Sequence, residues 1–112
     1  MIDEEYFAKK IREAGEQWAS AEKALAIADA KEKKENATLM LEAQIEHGCK
    51  TVASQSSWAD LQERMEQARI NKGVAKGLLA AAKSNYLASE VEFKTWQTNQ
   101  ASERMEKRIY GS

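Results

Sequence analysis

The sequence predicts an all-α protein: a long antiparallel two-helix hairpin, coiled-coil-like, that assembles into a helical bundle as an oligomer. Three observations carry this. The 112-residue chain has no proline, so nothing forces a helix to stop. Its apolar fraction is 43%, supplied largely by alanine with aromatics at only 7%, a balance typical of long helices rather than of a compact core. Apolar residues also recur at alternating spacings of four and three in both halves of the chain.

The whole chain, 1–112, reads as one helical-hairpin domain. Helix 1 is expected over about 3–47, with the seam Phe7, Ile11, Ala14, Trp18, Ala21, Leu25 and Ala28. That seam is lost across Lys31–Glu35 and resumes at Leu39. Gly48 suits the position just past a helix end, because it adopts positive φ without a Cβ clash. A loop or short helical turn is expected over 48–56. Ser57 and Asp60 resemble a capping box, which starts helix 2 there and carries it over about 57–109. A bend is expected near 71–73, where Asn71 and Gly73 lower helix propensity.

Folding the chain back on itself places facing residues at numbers that add to about 104, the register that best opposes large side chains in a helical hairpin. It pairs Leu39 with Met65, Leu25 with Leu79, Trp18 with Tyr86 and Ile11 with Phe93. Phe7 then falls near Trp96, and Ile45 near Trp58.

Residues 67–89, QARINKGVAKGLLAAAKSNYLAS, hold four cations and no acid in a chain of net charge −1. Arg69, Lys72, Lys76 and Lys83 share one helical stripe. In the hairpin register they lie opposite a segment containing Glu22, Asp29, Glu32 and Glu35, so pairing across the seam is the expected role. The second reading is a stripe that tracks nucleic-acid phosphates. Residues 57–112 carry nine basic against seven acidic side chains, a mild excess that does not favour it.

Little in the chain points to catalysis, and a non-enzymatic protein is expected. No catalytic residue, cofactor or metal site is assigned. The one histidine and one cysteine stand together in Glu46-His47-Gly48-Cys49, which lacks a metal-ligand set and a group to orient a nucleophile. Trp18, Trp58 and Trp96 each have a place in the seam, so core packing is expected rather than base stacking. No apolar run approaches a membrane span, and a cytoplasmic protein without membrane contact is expected.

Two helices bury one face each, and the apolar residues left over imply a partner. Ile27, Leu41, Gly73, Val74, Gly77, Leu78 and Ala81 form the expected self-association surface. A homo-oligomer and a further protein partner are expected.

Several stretches resemble a family of small all-helical phage-encoded proteins of uncharacterised function, often found among phage recombination and DNA-metabolism genes. They are Trp18–Ala24, Leu39–Ala43, Lys50–Ala53, Leu78–Lys83 and Phe93–Thr98, with Arg104. The resemblance implies an accessory role beside a single-strand annealing or replication protein, in a phage-infected bacterial cell. Gln97 stands where the usual member has arginine, so no contact of that arginine carries over. The family supplies no catalytic residue.

Overall fold

The computed structural model describes residues 2–110. They form three helices, α1 (Glu4–Glu46), α2 (Val52–Asp60) and α3 (Glu63–Tyr110), with no strand among the described residues. The all-α expectation holds. Contacts group the chain into two units, Met1–Ala19 with Ala81–Ser112, and Ser20–Ala80. Segments of α1 and α3 contribute to each.

Local chemistry sets the helix ends. The Tyr6 N–H donates to Asp3 Oδ1 at 3.0 Å, and Glu4 and Glu5 place negative charge at the positive end of α1. At its other end Gly48 has φ +67°, and the Cys49 N–H folds back onto the Ala43 carbonyl at 3.0 Å. This is the role expected of Gly48. Through 71–73 α3 is uninterrupted, so the weak point there breaks no helix.

The second helical stretch does not begin at Ser57: 48–51 are non-helical, and the short helical segment allowed for in 48–56 starts at Val52. Thr51 is the N-cap of α2: its Oγ1 accepts from the Ser54 N–H at 3.1 Å, while Ser54 Oγ accepts from the Thr51 N–H at 3.3 Å. Ser57 lies within α2, and Asp60 closes it. The true break is at Leu61-Gln62, where the Leu61 and Gln62 N–H groups tighten onto Trp58 and Ala59 carbonyls and Leu61 is 84% exposed. No glycine or proline marks it. Ala59 and Met65 are both fully buried yet six residues apart, about 120° out of phase on a straight helix at about 100° per residue. Interrupting the helix between them lets both reach Leu39.

In the Ser20–Ala80 unit the core is Leu39, Ala59 and Met65, flanked by Met40 and Trp58. The Leu39–Met65 pairing is as expected, and Leu25 and Leu79 line one shallow groove. The Trp58 indole stacks on His47, with ring centroids 4.5 Å apart, and Ile45 is 72% exposed.

The other unit is centred on aromatic rings. Phe7, only 6% exposed, lies 5.5 Å from Phe93 and 5.3 Å from Trp96 by ring centroids. Trp18 sits 5.2 Å from Tyr86, whose ring edge also lies 3.7 Å from where a Cβ on Gly15 would stand. Lys10 closes this unit's flank with a 2.6 Å ion pair to Glu92, which raises the Lys10 pKa. As one segment's numbers rise the other's fall, so the strands of helix in this unit run antiparallel.

Candidate interaction surface

Within the Ser20–Ala80 unit the seam continues across the charged run where the apolar pattern is lost. Glu32 and Glu35 take seam positions between Ala28 and Leu39 and are half-buried. Cations on α3 meet them. Lys72 Nζ lies 2.8 Å from Asp29 Oδ1 and 3.5 Å from Glu32 Oε2. Arg64 Nε lies 2.6 Å from Glu35 Oε1, and its Nη1 is 3.1 Å from Glu42 Oε1. The Nε–H direction misses Glu35 Oε1, so that buried oxygen has a charge partner but no hydrogen bond.

These pairs shift titration in opposite directions. Hydrogen bonds from Lys72 and then Lys33 hold the Asp29 carboxyl below its usual 3.8. The same bond to Asp29, with Glu32 nearby, lifts Lys72 above 10.5. Stability from the depressed Asp29 is therefore present above 3.8 and lost as pH falls through its folded-state value. That from Lys72 is present below 10.5 and lost as pH rises through its own. Asp29→Asn should lower the melting temperature at pH 6, with the gap to wild type closing in strong acid. A gap that persists unchanged at pH 2 would remove the ionic account.

The predicted cation stripe is thus largely used within the chain. Arg69 pairs with Asp60 at 2.5 Å and Lys72 with α1. Lys76 lines a groove beside Glu22 and Asp29, with no ion pair among the described residues. Lys83 belongs to the other unit, where its Nζ stands 5.8 Å from the Trp18 ring centre, over an indole face that attracts cations. Of these four cations, Lys76 is the one with neither an ion pair nor an aromatic contact among the described residues.

An open apolar groove of about 830 Å³ lies between the α1 and α3 segments of the Ser20–Ala80 unit. It gathers three of the residues expected for self-association: Ile27, Val74 and Leu78, which are 46%, 57% and 60% exposed. Its floor is alanine. Leu41 is exposed but does not line it, and Gly73 and Gly77 lie outside it, where an added Cβ would meet nothing within 4 Å. Ala81 falls in the other unit. The sequence pattern missed the groove's cationic shoulder, Lys31 and Lys34. Their spacing of four and then three from Ile27 was legible, but it read as a break in the seam.

His47 packs against Trp58, and the half-buried Cys49 thiol donates weakly to the His47 carbonyl at 3.9 Å. Among the described residues no three His, Cys, Asp or Glu side chains converge to hold a metal, and no helix is long and apolar enough to cross a membrane. Comparison with family profiles, curated proteins and solved structures found no match.

Proposed function

We propose that the protein acts by binding other proteins, without catalysis, as a coiled-coil-like antiparallel helical hairpin that serves as a scaffold and self-associates. The observation that supports this reading is the groove in the Ser20–Ala80 unit, whose Ile27, Val74 and Leu78 stand exposed beside an alanine floor. Apolar surface gathered in a groove, rather than scattered singly, is the usual mark of a binding face. A phage accessory role in the cytoplasm of an infected cell belongs to the same reading, and its support is the sequence resemblance alone.

Two measurements test it. Capture from the cells that encode the protein, with and without nuclease, should recover a protein partner that survives nuclease and is lost with Val74→Glu/Leu78→Glu. Loss with nuclease would instead favour the nucleic-acid reading. Self-association is assigned to the separate open face around Gly73 and Gly77, so light scattering at micromolar concentration should give more than one copy, reduced to one by Gly77→Glu. The space around Gly77 is open and the substitution improves helix propensity, so loss of association would not reflect unfolding. A monodisperse wild-type monomer removes the self-association half.

A further inference from the structure

We propose that the groove between α1 and α3 in the Ser20–Ala80 unit receives an amphipathic α-helix of another protein, with acidic side chains on the edge facing Lys31 and Lys34. The inference rests on the protein-binding reading above and names the chemistry of the partner.

Shape and charge carry it together. Ala28, Ala68 and Ala75, buried or half-buried, form the floor and let a backbone come close, while Ile27 on one shoulder and Val74 and Leu78 on the other offer apolar contacts. The α1 shoulder runs from Ala24 to Thr38. At about 1.5 Å per residue that is roughly 21 Å, the length of about four helical turns. An apolar stripe on a short helix fills such a groove by standard helix-in-groove docking.

The rim then selects the partner's charge. Lys31 and Lys34 are exposed on one shoulder and form no ion pair among the described residues. Glu35, the one acid among the described lining residues, is held by Arg64, whose remaining valence goes to Glu42. On the opposite shoulder Gln67 donates to Asn71 at 3.0 Å, and neither brings charge. Two cations are therefore left unanswered beside apolar surface, and acids on an incoming helix answer them.

A second copy presenting the same groove brings two more lysines and no free acid, which opposes rather than completes the rim. A phosphate chain would meet the lysines but leave Ile27, Val74 and Leu78 in water.

The test displays helical peptides of about eighteen residues, slightly longer than the groove. A fixed leucine stripe is kept, and the edge positions vary among Glu, Gln and Lys. Each peptide is titrated against the full chain, and a fluorescent oligothymidine is titrated in parallel. Acid-edged peptides should bind about tenfold more tightly than lysine-edged ones, about 1.4 kcal/mol shared by two partly exposed ion pairs. Lys31→Glu/Lys34→Glu should reverse that order with helicity unchanged.

Equal binding of all edges overturns the acidic partner while leaving the groove as a protein-binding face. If no peptide binds and the protein is a dimer that Val74→Glu/Leu78→Glu dissociates, a second copy holds the groove and the proposal falls. If no peptide binds and the protein is a monomer, the protein-binding reading falls with it. Oligothymidine bound in place of any peptide, and released by the lysine reversal, assigns the rim to nucleic acid and overturns the proposal.

Discussion

Leu39→Ala is expected to lower the unfolding free energy by about 3 kcal/mol, the typical loss when a buried leucine is truncated to alanine. Leu39 is 1% exposed and holds α1 against both Ala59 of α2 and Met65 of α3. Met65 and Met40 beside it are flexible enough to relax into part of the cavity, which keeps the loss near the lower end for such truncations. A loss of that size shifts the melting temperature of a domain near 100 residues by roughly 10–20 °C. Thermal denaturation followed by circular dichroism reads it directly. A shift of only a few degrees would mean that this cluster does not anchor the Ser20–Ala80 unit.

Phe7→Ala should cost a comparable amount but show it in a different place. Phe7 is the buried ring between Phe93 and Trp96, and large-to-small aromatic changes in packed sites cost about 3–5 kcal/mol. It stands one turn inside the start of α1, however, where ends open locally at less than the global free energy. Amide exchange should therefore accelerate around residues 5–18 and 82–96, with little change near Leu39 and Met65. Uniform acceleration along the chain would show instead that the two units open as one.

Much of this was legible because helical burial leaves a periodic trace. Phe7, Ala14, Trp18 and Leu25 fall at the expected seam positions, and Trp18 meets Tyr86 as the register requires. On α3 the buried and half-buried positions from Met65 to Gln100 alternate by three and four, with Glu90 the one addition. That regularity was hidden because Lys72 and Ser89 occupy two of them: Lys72 is neutralised across the seam, and Ser89 Oγ donates to the Asn85 carbonyl at 2.9 Å. Polar residues at core positions look like interruptions until their partners are known. Ser57 was misread for a related reason. Thr51 and the serines at 54, 56 and 57 offer similar capping chemistry, and the cap is taken by Thr51 with Ser54 as its N3 partner.

The groove was only half legible. Val74, Leu78 and Ile27 announce unspent apolar surface, but which of them share a depression depends on which flank of each helix the seam consumes. Gly73 and Gly77, one position away from Val74 and Leu78, ended on another face. A difference of about 100° per residue is small in sequence and decisive in space.

The Lys72 contact with Asp29 and Glu32 has a consequence for alignment. Alanine-rich surfaces are nearly self-similar, so one segment of the Ser20–Ala80 unit sliding past the other by seven residues would lose little packing. Such a slip would set Lys72 against Leu25 or Leu39 and leave Glu32 facing Leu79 or Met65, stranding charge on greasy surface. One ionic rung thus rejects the neighbouring registers that the methyl groups alone would tolerate.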